Sequence, residues 1–159
     1  MFSWINDRDL VVLSSPFKPV ARAAHNDWFE KVRIDSTCRI FAITDGVSGE
    51  AIGYCQLKGI GNPSENAELQ IRIGNQTQLN KGIGTAAVVE LLNYGFRALN
   101  LHRIFLHVFR TNARAYRAYL KAGFAEEGTL REGVKIDAEF FDVVVMGILR
   151  REFLDNHAI

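Results

Sequence analysis

The chain lacks a strong charge bias, and it lacks a long apolar run. Its 19 Lys and Arg against 18 Asp and Glu leave a formal net charge of +1, so nothing favours nucleic acid or a membrane surface as a partner. No apolar run approaches the roughly 20 residues that cross a bilayer. The charges of Asp7, Arg8 and Asp9 come too early for the apolar region of a signal peptide. We therefore expect a cytoplasmic protein.

Cysteine and linker sequences are also scarce. The two cysteines, Cys38 and Cys55, have no metal-ligand spacing and lie in apolar, strand-like segments, so we expect buried free thiols. No His, Asp or Glu cluster has metal spacing, and we expect no metal. The chain contains no repeat and no Pro/Gly/Ser linker. With 159 residues, of which 48% are hydrophobic, it is expected to form one globular domain, 1–159.

The residue patterning that is present predicts strands alternating with helices. The strands are expected at 39–44, 50–57, 67–73, 103–109 and 142–149, and the helices at 21–32, 83–99 and 113–122. Asn100 is expected to end the second helix in a left-handed conformation. The polar tail 150–159 is expected to fray. This order predicts an α/β fold, a mixed sheet with helices on both faces.

A glycine-paired turn, Lys81-Gly82-Ile83-Gly84-Thr85, opens the longest predicted helix. Glycines there leave backbone N–H groups uncovered, and the helix N-terminus adds about half a positive charge, so the turn is suited to a phosphate. The alternative is an ordinary helix cap.

Two other phosphate-binding folds do not fit this turn. Gly82-x-Gly84-x-x-Ala87 matches a loose dinucleotide fingerprint, but the eight residues 74–81 separate the strand from the first glycine. No Asp or Glu lies between Glu90 and Glu126 to hold a ribose. No Gly-Lys-Ser/Thr triplet is present, which excludes a P-loop.

Several motifs occur in an order that resembles the GCN5-related N-acetyltransferase (GNAT) superfamily, over 39–153. The motifs are Ala67-Glu68-Leu69-x-Ile71-x-Ile73-Gly74 with the glycine turn, Arg103-Ile104-x-Leu106-x-Val108, Asn112-x-Arg114-Ala115, Tyr119-x-Lys121-x-Gly123-Phe124, Glu127-Gly128-x-Leu130-Arg131, and Asp142-Val143-Val144-Val145-Met146-Gly147. The last resembles the closing strand of the ribosomal-protein-alanine acetyltransferase-like branch. The resemblance implies an α+β GNAT fold in which a splayed strand pair holds acetyl-CoA.

The sequence departs from that family in two places. Leu79 stands where the signature usually has Arg or Gln, and Asn80 stands where glycine is common. Backbone phosphate contacts do not depend on those side chains. The first strand that usually precedes the first helices is missing or very short.

The resemblance also assigns the acetyl-CoA contacts and the catalytic groups. The implied cofactor residues are Ile71, Ile73, Leu79, Asn80, Lys81, Gly82, Ile83, Gly84, Thr85 and Asn112. Tyr119 is implied as the general acid to the CoA sulfur, and Glu68 as the base, through water. The alternatives are a core aromatic for Tyr119, a helix cap for Asn112 and an exposed strand residue for Glu68.

The first 38 residues are expected to form one side of the acceptor site. Trp4-x-Asn6-Asp7, Ser15-Pro16, His25 and Trp28-Phe29 look like the front end of amino-sugar-nucleotide acetyltransferases. The likeness implies a small-molecule amine acceptor that contacts Asn6, His25 and Trp28. His107 alternates with the apolar residues of its predicted strand and is expected to face the acceptor cavity; the alternative is a packing residue. The alternatives are a protein N-terminus as acceptor, or a non-catalytic acyl-CoA-binding module. A homodimer is compatible with the family.

Overall fold

One sheet with helices on both faces forms the fold. The computed structural model describes residues 1–74 and 81–156. There, six strands lie in the order β1-β2-β3-β4-β6-β5: β1 (Cys38–Thr44), β2 (Ala51–Lys58), β3 (Asn66–Ile73), β4 (Arg103–Phe109), β5 (Ala125–Ile136) and β6 (Glu139–Leu149). The helices are α1 (Phe2–Ile5), α2 (Arg8–Val11), α3 (Arg22–Ile34), α4 (Ile83–Asn93), α5 (Ala113–Lys121) and α6 (Arg150–Asn156). None of these described helices could cross a membrane.

The first two strands form the hairpin that the sequence predicts. Asp45 begins the connection, and one of its carboxylate oxygens accepts from the backbone N–H of Val47 and of Ser48, both at 2.9 Å. Gly49 then takes a φ of +73°, which a glycine adopts without strain. The strands pair antiparallel, with Phe41 opposite Cys55. Cys38 and Cys55 are free and buried, as expected.

The splayed pair is β3 and β4. They run parallel and pair only from Asn66 opposite Arg103 to Glu68 opposite Phe105. Beyond that point the strands part, although β3 continues to Ile73 and β4 continues to Phe109. The sheet therefore opens at its centre, as the GNAT resemblance implies.

The main core lies between the sheet and α4, α5 and α6. The side chains of Leu57, Leu92, Phe96 and Ile104 are fully buried there. Gly95 packs closely here: a Cβ at this position would lie 2.6 Å from the Ile104 Cδ1 atom, so a larger residue would force the buried Ile104 side chain to shift.

The long helix predicted at 83–99 is present but is not uniform. It is α-helical to Asn93 and continues as a π-helical turn over Tyr94–Ala98, where Leu99 N donates to Tyr94 O at 3.2 Å. Asn100 follows with a φ of +55°, which confirms the predicted left-handed stop.

Two expectations for the C-terminal part were wrong. The sequence order placed one strand after α5, whereas the structure has both β5 and β6. The edge strand β5 is mostly exposed, so it lacks the apolar alternation that marks a half-buried strand. The tail was expected to fray, yet 150–156 form α6 and Phe153 is buried against Phe96, with 5.4 Å between the ring centroids. Residues 157–159 lie outside the described residues.

At the N-terminus, no strand precedes α1 in the part of the chain that the structure describes. The short helices α1 and α2 stand there instead. Asn6 joins this segment to the start of α3, because its side chain donates to Val20 O at 3.1 Å and accepts from Val20 N at 2.9 Å.

Candidate active site

A cleft of about 310 Å³ opens where β3 and β4 part, and we call it the β3–β4 cleft. Most of the site residues predicted from the sequence line it: Ile71, Ile73, Gly82, Ile83, Gly84, Thr85, His107, Asn112 and Tyr119. The splay thus brings together residues from β3, β4, α4 and α5. Such a cleft is large enough to hold a substantial part of a ligand.

The N-terminus of α4 forms one end of the cleft. Gly82 is the N-cap at a φ of +78°, and the first bond of the helix is the 3.0 Å contact from Ala86 N to Gly82 O. The N–H groups of Ile83, Gly84 and Thr85 therefore have no acceptor in the helix. Because these donors sit at the positive end of the helix dipole, the turn is suited to a diphosphate.

Three residues of the predicted turn are not placed in the cleft. Leu79 and Asn80 lie outside the described residues, so their roles stay predictions. Lys81 is exposed and does not line the cleft.

Three exposed cations on α5 line the cleft, although the sequence did not predict any of them as a site residue. Arg114, Arg117 and Lys121 line the cleft, and their spacing of three and four residues places them on one side of the helix. This helical spacing of three basic residues was the sequence signal that could have identified them. Together they give the cleft a positive rim, which suits the phosphates of a CoA molecule.

Tyr119 is both a core residue and a cleft residue. It is 8% exposed, and its ring packs edge-to-face on Phe124 with 5.9 Å between centroids. Burial raises the pKa of Tyr119 to about 12, so the phenol keeps its proton at neutral pH. Its hydroxyl makes no hydrogen bond within the described residues, and the side chain lines the cleft.

Asn112 has the capping role that its residue type suggested. Its side-chain oxygen accepts from Ala115 N at 3.2 Å, which caps α5. Its amide nitrogen donates to Leu13 O at 3.1 Å. Asn112 therefore also ties the segment after α2 to the cleft.

Glu68 and His107 lie at the point where the strands part. The His107 Nδ1 atom is 3.2 Å from the Glu68 Oε1 atom, and Lys58 Nζ is 3.5 Å from Glu68 Oε2. Burial raises the pKa of Glu68, but the His107 hydrogen bond and the Lys58 charge outweigh it, and the net pKa is lowered. An ionised Glu68 only accepts hydrogen bonds, so His107 donates from Nδ1. In a neutral ring the Nε2 atom then holds the free lone pair.

A second cavity of about 590 Å³ lies between the N-terminal helices and the other face of β1–β3, and we call it the front cavity. Trp28 lines it, whereas Asn6, His25 and His107 do not. His25 is buried between Phe2 and Trp28. Arg72 lines both the front cavity and the β3–β4 cleft.

A metal site is not evident in the described ranges, because no three His, Cys, Asp or Glu side chains within 1–74 and 81–156 are grouped to hold an ion.

The sequence and the fold both match known acetyltransferases. Residues 1–125 match the family model described as an acetyltransferase (GNAT) domain. The chain is 32% identical over 132 residues to a spermidine N(1)-acetyltransferase of Escherichia coli K12, covering 83% of this chain and 69% of that protein.

Solved structures give the same result. A Vibrio cholerae spermidine N-acetyltransferase in complex with CoA and spermine superposes with a TM-score of 0.86 at 30% identity, covering 96% of this chain and 89% of that one. A dodecameric structure of that enzyme has a TM-score of 0.79 at 32% identity, covering 87% and 81%. This chain belongs to the GNAT family of acetyltransferases and is an acetyl-CoA-dependent N-acetyltransferase.

Proposed function

We propose that this enzyme moves the acetyl group from acetyl-CoA directly to the primary amine of a small molecule, in the β3–β4 cleft. The observation that supports this proposal most directly is that β3 and β4 part beyond Glu68 and Phe105. Tyr119 and His107 line the resulting gap. On the edge of β3 that faces the gap, the backbone from Leu69 to Ile73 pairs with none of the described strands, since its pairing with β4 ends at Glu68. The arm of CoA can pair there as a short added strand.

The backbone of β3 near Ile71 and Ile73 is proposed to hold the thioester carbonyl. A donor aimed at the developing oxyanion is worth roughly 3 kcal/mol in well-studied hydrolases. This contribution comes from the main chain, so side-chain substitutions would not remove it.

Tyr119 is proposed as the acid that protonates the departing thiolate. Its hydroxyl is protonated at neutral pH and has no partner within the described residues that would hold the proton back. A thiol, with a pKa near 8.5, is a stronger acid than this phenol. Proton transfer from Tyr119 to the thiolate is therefore unfavourable unless the sulfur lies close and the product stays bound. Tyr119 lines the cleft in which the thioester is proposed to lie.

His107 is proposed as the base, with Glu68 as its positioning residue. Because Glu68 holds Nδ1–H, the Nε2 atom can take the proton that the amine loses as its nitrogen bonds to the acetyl carbon and the C–S bond breaks. An alkylammonium has a pKa near 10, so the amine must also reach the site deprotonated. This assignment gives Glu68 a supporting role behind the imidazole.

Two small molecules of opposite charge are candidates for the acceptor. The names of the relatives favour a polyamine, since the E. coli and V. cholerae proteins are spermidine acetyltransferases. The front-end motifs around Trp4, His25 and Trp28 favour an amino-sugar nucleotide. A protein N-terminus is the remaining acceptor, and the near-neutral charge of the chain gives no acidic surface for basic ribosomal tails. We propose a homo-oligomer, which the dodecameric relative supports.

The test is release of free CoA thiol with a panel of amines and mass detection of the products. The panel contains spermidine, a UDP-amino sugar and a peptide with an N-terminal alanine. We expect acetylation of one of the two small molecules. Acetylation of the peptide alone would contradict a small-molecule acceptor, and no turnover with any amine despite CoA binding would contradict the proposed mechanism.

A further inference from the structure

We propose that the front cavity binds the phosphate groups of the acceptor, so that the substrate is a phosphorylated amino sugar or an amino-sugar nucleotide. This inference rests on the proposed function and selects between its two small-molecule candidates by charge.

The position of the front cavity lets one ligand occupy it and still reach the thioester. Gln70 and Arg72 line it and lie on the face of β3 that Glu68 also faces, directly past the point where the strands part. The two residues span roughly 7 Å along the strand. Arg72 also lines the β3–β4 cleft, so a ligand bound beside Arg72 can place an amine in the gap near His107.

The charge of the front cavity is positive. Three cationic side chains line it, Lys18, Lys58 and Arg72, against one carboxylate, Asp35. Lys58 also forms an ion pair with Glu68, with 3.5 Å between the Lys58 Nζ and Glu68 Oε2 atoms. The Asp35 carboxylate accepts from the Thr37 N–H at 2.8 Å and from its hydroxyl at 2.7 Å.

Two of these cations have no acidic partner in the described ranges. Arg72 donates to the Ser14 hydroxyl at 3.0 Å, which leaves most of its five N–H donors for a ligand. Lys18 is exposed at the cavity wall and forms no ion pair within the described residues. The sequence at 75–80 contains no acidic residue. A polyamine would meet uncompensated like charge here, whereas a phosphate would be attracted.

The size and walls of the front cavity indicate what accompanies the phosphate. At about 590 Å³ it is within the range of small-molecule sites and much larger than one phosphate requires. Gln56 and Gln70 line it and are joined by a 2.7 Å hydrogen bond. Gln56 is only 7% exposed, so the half-buried Gln70 is the amide that can meet a sugar hydroxyl. Trp28 and Tyr54 supply aromatic surface for a sugar or a base.

The experiment compares Lys18→Gln with Lys31→Gln. Both lysines are exposed on the N-terminal segment, and only Lys18 lines the front cavity. The enzyme is first saturated with CoA, so that the phosphate sites of the β3–β4 cleft are filled. Pyrophosphate binding is then measured by calorimetry, and kcat/KM is measured for glucosamine 6-phosphate, glucosamine and spermidine.

We expect Lys18→Gln to weaken pyrophosphate binding about five- to tenfold, the loss of one partly exposed charged contact, and Lys31→Gln to leave it unchanged. Glucosamine 6-phosphate should be favoured over glucosamine in the wild type, and the advantage should shrink in Lys18→Gln. Pyrophosphate that fails to bind the CoA-loaded enzyme, or binds both variants equally, would overturn the inference. So would spermidine turnover that falls in Lys18→Gln. A further outcome separates this inference from the proposed function. If Lys18→Gln turned over spermidine at the wild-type rate and pyrophosphate did not bind, the phosphate site would be wrong but the acetyltransferase mechanism would stand.

Discussion

Replacement of Tyr119 by phenylalanine separates a catalytic from a packing role for this residue. The ring packs on Phe124 in the core, and the substitution keeps that contact. The hydroxyl has no hydrogen-bond partner within the described residues, so its removal leaves no buried group unsatisfied. We therefore expect the free energy of unfolding to change by less than about 1 kcal/mol, a shift in Tm of at most about 4 °C.

Turnover should respond very differently. General acid catalysis by a positioned side chain contributes roughly 10²- to 10⁴-fold, so kcat should fall by about that factor. The affinity for CoA should stay the same, because the hydroxyl acts only when the C–S bond breaks. The assays are thiol release for kcat, calorimetry for CoA binding and thermal unfolding for stability.

Tyr116→Phe is the matched control, since it makes the same change three residues earlier on α5. Tyr116 donates from its hydroxyl to Glu126 at 2.7 Å on the surface, and we expect wild-type turnover from this variant. If Tyr119→Phe turned over at the wild-type rate, or if both variants slowed equally, Tyr119 would not be the acid.

Three further changes test other parts of the site and the fold. Glu68→Gln should lower kcat roughly a hundredfold, because an amide can hold the wrong tautomer of His107; wild-type kcat would remove the pair from the mechanism. The lowered pKa of Glu68 also means that its contribution to stability is present above its unfolded pKa and is lost as pH falls through the folded one, so urea unfolding of Glu68→Gln should depend less on pH in acid. Gly82→Glu should abolish CoA binding in calorimetry, because it strains a left-handed φ and puts a carboxylate beside the diphosphate donors; unchanged affinity would refute the turn as the phosphate site. Phe153→Ala should destabilise the fold by about 3–5 kcal/mol in urea unfolding, and a loss under 1 kcal/mol would mean that α6 is dispensable.

The sequence by itself determined the parts of the fold that rest on local signals. The hairpin, β3, β4 and α5 follow from apolar periodicity and turn residues, and the start of α4 follows from the paired glycines, of which Gly82 has a positive φ in the structure. The acetyl-CoA contacts came from the GNAT resemblance and stay predictions. Of the residues that it implies, Ile71, Ile73, Gly82, Ile83, Gly84, Thr85 and Asn112 line the β3–β4 cleft.

Tertiary structure alone decided what depends on residues distant along the chain. The edge strand β5 gains its pairing from β6, and α6 is held because Phe153 reaches the main core, so neither shows a local period. The Glu68–His107 pair joins residues 39 positions apart, and the front cavity gathers Lys18, Lys58 and Arg72 from three separate segments. Charge and hydrogen-bond geometry of this kind depend on how the strands part and how the helices cover them, and no local pattern in the sequence encodes that arrangement.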